Sequence, residues 1–248
     1  MTDTLPLSVP LQGISNFRDL GGYRAKDGRR VRAGRVFRAA TLAGITPQDQ
    51  RVLESLGLTA ICDLRGIKER ERLPDPALPG ATAVHLPIEP TVGASLRDIA
   101  HTREATGEDV LSIMRRGYQA YAIDFASHYR RILTLAADPG QAAIVFHCSA
   151  GKDRTGFGAA LLLSALGVAW DDVMEDYLAT NRLWRPDPSL FERLPTAVTD
   201  VLFTAHETLL LTAFETIAAH SGTFDSYLSD HLGMTNQHRA ALEAAMLV

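Results

Sequence analysis

The residues with the most chemical potential lie in one run, His147-Cys148-Ser149-Ala150-Gly151-Lys152-Asp153-Arg154-Thr155-Gly156. Hydrolysis of a phosphate monoester needs a nucleophile, a clamp for the anionic oxygens and an acid for the leaving group, and this run offers all three. Cys148 would be the nucleophile. The amides of Ser149, Ala150, Gly151 and onward to Arg154 can turn inward as an anion nest, beside the positive end of a following helix. Such fields lower a thiol pKa from about 8.5 to ~3.5–7.5 in favourable sites, and a thiolate attacking phosphorus gives a phosphocysteine. Arg154, six residues after Cys148, can return over the anion with a planar fork that Lys cannot reproduce. Gly151 permits the turn, Lys152 adds a second cation, and Thr155 can donate its hydroxyl to the sulfur. His147 is expected to orient the loop rather than act as a base.

Other readings of this run are weaker. A plain strand entering a helix through a glycine turn does not call for Cys, Lys, Asp, Arg and Thr in so few positions. An ATP-binding loop is excluded because Asp153 occupies the hydroxyl position and Phe146 stands where its first glycine belongs. A sulfurtransferase would use the cysteine without needing the Arg-Thr pair. A non-catalytic phosphate-binding module would keep the nest and lose Cys or Arg, and both are present. For the proton donor, Asp153 is the favoured candidate and Asp63, at the end of a buried strand, the alternative. Trp184-Arg185-Pro186-Asp187 follows the loop in the chain and is read as coincidence.

The surrounding pattern supplies the elements that must hold this loop. Short apolar runs alternate with helical periods, which predicts an α/β layer architecture. Val36-Phe37-Arg38, Thr59 to Leu64, Ala83 to Leu86 and Ala142 to Phe146 read as strands, the last apolar throughout as in a parallel sheet. Thr46 and Pro47 open a helix that runs past Leu53 and Leu56 to Gly57. Pro74, Pro76 and Pro79 mark a loop. Met114, Tyr118, Tyr121, Phe125, Tyr129 and Ile132 predict one long helix from Asp109 to Leu135, interrupted at Gly117. Phe157 to Leu166, closed by Gly167, reads as a buried helix. The last third reads as helical throughout, and Leu209, Leu210, Leu211, Phe214 and Ile217 suggest a helical lid over residues 183–220. Arg18, Arg38, Arg65 and Lys68 could steer an anionic substrate, with Arg65 preferred because it follows a strand end. Asn16 and Asp19 would organise an N-terminal turn.

Composition removes several classes of function. With 25 basic and 29 acidic residues, the net charge of −4 gives no support for nucleic-acid binding. No apolar run approaches the ~18 residues of a membrane span. Met1 to Pro10 carries no secretory signal, so a cytoplasmic enzyme is expected, signal-independent export aside. The two cysteines and eight scattered histidines form neither a disulfide framework nor a metal-binding spacing, so no metal and no cofactor are expected. Cys62 reads as a core residue, with a protective disulfide to Cys148 under oxidation as the minority alternative.

The loop His147 to Gly156 resembles that of cysteine-dependent phosphatases, Cys, five residues, Arg and then Ser/Thr. It is more specifically similar to the bacterial atypical protein and lipid phosphatases, whose loops carry Lys-Asp before the Arg. Asn16 to Tyr23, Asp63-Leu64-Arg65 with Glu69, Asp176-Tyr177-Leu178 with Asn181, and Ser221 to Gly233 fit the same family in order. The resemblance implies a single phosphatase domain over residues 1–248, with a parallel-sheet fold flanked by helices and a helical C-terminal elaboration. It implies protein-tyrosine or dual-specificity activity, and it favours Asp153 as the acid. Lys152 is similar to the loop lysine of phosphoinositide 3-phosphatases, so both phosphorylated proteins and phosphoinositides are implied substrates.

Overall fold

The computed structural model describes residues 5–89, 106–189 and 194–248. The sequence readings at residues 1–4, and at 190–193 of the suggested lid, lie outside the described residues. One sheet runs through the molecule in the order β1 (Leu7–Ser8), β2 (Arg18–Asp19), β3 (Val36–Ala39), β6 (Ala143–His147), β4 (Leu58–Asp63), β5 (Thr82–His85). The neighbours among β3, β6, β4 and β5 are parallel, as the apolar runs predict, whereas β1 and β2 add an antiparallel edge. Those two strands are two residues each, too short for any periodicity to show.

β6 is buried at every position because it lies inside the sheet with both faces covered. Alternation sends Ile144 and Phe146 to one core with Val36, Ala60 and Cys62, and Val145 to the other with Phe37 and Ile61. The smaller core is closed by α1 (Pro47–Ser55), whose predicted N-cap Thr46 forms a capping box with Asp49. Asp49 also accepts from the amides of Gln12 and Gly13 at 2.7 and 2.8 Å, which fastens the N-terminal segment to this helix.

The larger core lies under the helices that follow. The expected long helix is two, α3 (Gly107–Ile123) and α4 (Ala126–Ala137). The break falls at Asp124-Phe125 rather than Gly117, which is buried within α3. The interruption contains neither glycine nor proline, and the apolar stripe through Tyr121, Phe125 and Tyr129 runs across it. A short helix that the sequence did not suggest, α2 (Ile67–Arg72), follows β4 and has no buried residue. After β6 come α5 (Asp153–Ala165), buried continuously from Thr155 to Leu163, and α6 (Trp170–Leu183). The C-terminal part is α7 (Thr196–Leu202), α8 (Glu207–Ser221), α9 (Phe224–Ser226) running into a π turn at Tyr227–His231, and α10 (Asn236–Met246).

Both α7 and α8 pack on α3, and Leu209, Leu210 and Ile217 belong to the main core. Leu211 and Phe214 pack against that core partly buried. Among the described residues no single helix is long and apolar enough to cross a membrane.

Phe157 fixes how these helices meet. It is 0% exposed, stands edge-on to Tyr129 at 4.8 Å and also meets Tyr121 and Phe214, so one ring joins α3, α4, α5 and α8. Truncating it to alanine should cost about 3–5 kcal/mol, measured as a fall in the urea midpoint with unchanged slope.

Candidate active site

The loop leaves β6 at its carboxyl end, where sites collect in parallel sheets. Three of its carbonyls are held by donors from outside the loop. Ser149 O accepts from Thr41 N at 3.0 Å. Ala150 O and Gly151 O each accept from Asn16 Nδ2 at 3.0 Å, and Gly151 O also accepts from Arg38 Nη2 at 2.8 Å. A trans peptide points its N–H opposite to its carbonyl. With the carbonyls of Ser149, Ala150 and Gly151 drawn backwards, the amides of Ala150, Gly151 and Lys152 must face forwards. That is the orientation an anion nest requires, for three of the amides between Ser149 and Arg154. Gly151 has φ +65°, and a Cβ there would lie 2.3 Å from Ala39 O, so only glycine fits.

The groups behind the loop are a buried charge cluster. Asp176 of α6 accepts from Arg18 Nε at 2.8 Å on one oxygen and from Arg38 Nη1 at 2.5 Å on the other. Arg18 also donates to both oxygens of Asn16, backbone and side chain. Asn16 itself sits at φ +60°, a left-handed conformation that Asn tolerates better than most residues. Burial would raise the Asp176 carboxyl, but the two guanidiniums outweigh it and hold it below the usual carboxylate range. Burial, and then Arg38, lower Arg18 to about 10, which still leaves it charged at neutral pH. Arg18 and Arg38 are both 0% exposed. The expectation that they steer substrate from the surface is therefore corrected: they hold the loop from behind.

Arg154 returns over the front. Glu69 of α2 grips it end-on, with Oε2 2.6 Å from Nη1 and Oε1 3.0 Å from Nη2, and accepts from Ser149 Oγ at 2.6 Å as well. This leaves the Nε edge of the guanidinium as the second two-donor edge. Burial pushes the Glu69 carboxyl up, but the bonds and charge of Arg154, helped by Ser149 and the Gly66 amide, pull it down to about 2. Burial alone would lower Arg154, and Glu69 and Cys148 raise it. Cys148 is 2% exposed.

Lys152 is 1% exposed; its Nζ donates to Asp153 Oδ1 at 2.7 Å and to Thr204 O at 3.2 Å. It thus ties the loop to the segment between α7 and α8. Asp153 opens α5 and accepts on the same oxygen from Tyr118 at 2.9 Å. Thr155 Oγ1 is buried without a hydrogen-bond partner, so the suggested donation to sulfur is not made in this arrangement. His147 is 0% exposed and approaches Cys148 O through Nδ1 at 3.3 Å, while Nε2 faces Asp75 at 3.2 Å without hydrogen-bond geometry.

Arg65 and Asp63 are bound to each other. All the donors of Arg65 are engaged: Nε and Nη2 on Asp63, Nη2 also on Asp75, and Nη1 on Thr41 Oγ1 and Leu73 O. The Asp63 carboxyl, raised by burial but lowered more by Arg65, falls below its ordinary range and is ionised, the wrong state for an acid. Asp63, Asp75 and His147 bring ligand-type atoms within 4.8 Å of one another. The guanidinium of Arg65 already supplies the cation that this cluster would attract.

Cys62 and Cys148 are both buried free thiols, and Cys62 lies in register with Phe146, two residues before Cys148. Burial pushes the Cys62 thiol up to about 12.

Glu69, Asp75, Asp176 and Tyr118 are functional partners whose roles the sequence did not disclose. Glu69 and Asp176 stood in matched stretches, and Tyr118 read only as core. No periodicity could pair Glu69 with Arg154, 85 positions on, Tyr118 with Asp153, 35 positions on, or Asp176 with Arg18, 158 positions back.

A cysteine at the end of a central parallel strand, an amide-lined loop and an arginine returned over it define a cysteine-dependent phosphatase. Residues 9–248 match the model described as the tyrosine phosphatase family; the chain belongs to that family. A Cupriavidus necator protein assigned by name to the tyrosine-protein phosphatases is 33% identical over 227 residues, covering 88% of this chain and 82% of its own. The triple specificity protein phosphatase PtpB of Mycobacterium tuberculosis is 31% identical over 194 residues, covering 69% of this chain and 68% of its own. Among solved structures, the core catalytic domain of the PP-IP phosphatase SIW14 from S. cerevisiae aligns over 86% of this chain and 95% of its own. Its identity is 13% and its TM-score 0.38, too distant to bear on function.

The grip of Glu69 on Arg154 has a pH signature. Its folded pKa of about 2 lies below the ordinary 4.5, so its contribution is present above pH 4.5 and lost as pH falls through the folded value. Glu69→Gln should remove this part of the acid dependence of stability, measured by urea unfolding at stepped pH. It should also weaken vanadate binding at neutral pH.

Proposed function

We propose that this enzyme hydrolyses phosphate monoesters through a phosphocysteine on Cys148. The observation that carries the reading is the orientation of the loop between Cys148 and Arg154: three carbonyls tied on one side turn the three following amides to the other. Those amides and the Nε edge of Arg154 match the equatorial oxygens of a phosphoryl group. In the first step the Cys148 thiolate attacks phosphorus, the bond from phosphorus to the ester oxygen breaks, and Asp153 gives that oxygen its proton. In the second, water attacks the phosphocysteine, Asp153 takes the water proton, and inorganic phosphate leaves as the thiolate is restored.

Phosphotyrosine is the proposed main substrate, with phosphoserine and phosphothreonine beside it, as the family and the named breadth of PtpB suggest. A phosphoinositide reading rests on Lys152. In this arrangement its ammonium faces Asp153 and Thr204, so one of its three protons is left for a ligand.

The test compares a phosphotyrosine peptide, a phosphoserine peptide and a phosphoinositide, with Cys148→Ser as the control. Cys148→Ser should lose turnover about 10⁴-fold or more; substantial residual activity would overturn the nucleophile. Asp153→Asn should lower turnover of an alkyl phosphate by about 10²–10⁴-fold and that of p-nitrophenyl phosphate, whose leaving group needs little protonation, far less. Equal losses on both esters would remove Asp153 as the acid.

A further inference from the structure

Asp153 is held asymmetrically. Lys152 Nζ at 2.7 Å and Tyr118 OH at 2.9 Å both donate to Oδ1, and among the described residues no hydrogen bond reaches Oδ2. Tyr118 is in turn 2.7 Å from the hydroxyl of Tyr177, oxygen to oxygen, with the rings edge-on at 88°. Tyr177 also reaches His206 O, at 3.4 Å. Both tyrosines are buried to within 1% of complete. Burial raises both phenols, so they stay protonated at working pH.

We propose that Tyr118, backed by Tyr177, is a positioning residue that fixes the plane of Asp153 and leaves Oδ2 as the oxygen that exchanges the proton. This rests on the reading of Asp153 as the acid. The proton count agrees with it. A hydroxyl has one proton to give. Tyr118 gives its proton to Asp153, so the 2.7 Å contact between the phenols is made by the proton of Tyr177, which goes to this shorter contact in preference to the His206 carbonyl at 3.4 Å. The chain therefore runs Tyr177 to Tyr118 to Asp153. A carboxyl protonated on Oδ2 keeps Oδ1 as its carbonyl oxygen, and an ionised one keeps it as an acceptor. Oδ1 can thus hold both donors in either state. The same carboxyl then gives its Oδ2 proton to the leaving oxygen and takes one back from water without turning about its own axis. The tyrosines are well placed for this task because they come from α3 and α6, both of which pack against α5. Their rings are locked by the core, and only the hydroxyl hydrogens need move.

The test is a double-mutant cycle read on two esters. The turnover number is measured for p-nitrophenyl phosphate and for an alkyl phosphate with the full chain, Tyr118→Phe, Tyr177→Phe, Asp153→Asn and the Tyr118→Phe/Asp153→Asn pair. Tyr118→Phe should depress the alkyl ester roughly tenfold more than the aryl ester, the scale of one lost hydrogen bond to a charged group. In the Asp153→Asn background it should add no further ester-dependent loss, because its target is already gone. Tyr177→Phe keeps the direct bond and should show the same pattern at smaller amplitude. It also serves as the second variant should Tyr118→Phe fold poorly. Equal losses on both esters, or an undiminished ester-dependent loss on top of Asp153→Asn, would overturn the positioning role. Ester dependence in Asp153→Asn without any in either tyrosine variant overturns this inference alone. Its absence from Asp153→Asn overturns the acid assignment and this inference together.

Discussion

A single buried carboxylate, Asp176, stands between two guanidiniums on the far side of the loop from the reacting groups. Each of these charges is expensive to remove from water, and the three are tolerable only because each oxygen of Asp176 has an arginine and each arginine has further acceptors. Two of those acceptors are what matter for chemistry. Arg38 reaches the Gly151 carbonyl, and Arg18 orients Asn16, which holds the carbonyls of Ala150 and Gly151. The cluster carries one positive charge in excess. Beneath an amide-lined loop, that excess favours a phosphate bound on the opposite side. Glycine at 151 is the counterpart on the loop itself, since any side chain there would strike the backbone at Ala39.

The front of the site follows the same logic with different partners. Glu69 fixes one edge of Arg154, and Tyr118 and Lys152 fix one oxygen of Asp153, so each functional group has one edge held and one edge presented. The holders come from α2, from α3 and from the loop, while the cluster behind draws on β2, β3 and α6. A site assembled from so many elements needs them docked rigidly. The aromatic junction at Phe157 supplies that docking beneath the start of α5.

How much of this was legible in the sequence depended on distance along the chain. The loop was readable because its nucleophile, amides, lysine, aspartate and arginine are contiguous, and β6 and α5 were readable because burial on all sides leaves an unbroken apolar pattern. The capped start of α1 was readable for the same local reason. What long-range pairing decides was not readable. Arg65 follows a strand end and so looked like a substrate contact, yet Asp75, ten residues on, and Asp63 engage it fully. Arg18 and Arg38 looked like surface charge until Asp176, more than 130 positions later, supplied their partner. The break between α3 and α4 escaped because the apolar stripe of Tyr121, Phe125 and Tyr129 runs across it without glycine or proline, while the conspicuous Gly117 lies buried inside α3.

The central claim is that turnover passes through a covalent bond between Cys148 and phosphorus. Rapid acid quench of the enzyme during hydrolysis of p-nitrophenyl phosphate, followed by mass spectrometry of the peptide that spans Ala143 to Arg154, tests it most directly. A phosphoryl group on Cys148, accumulating further in Asp153→Asn because water is then activated slowly, is the result expected. Ongoing turnover with Cys148 unmodified in both proteins at every quench time would contradict the account.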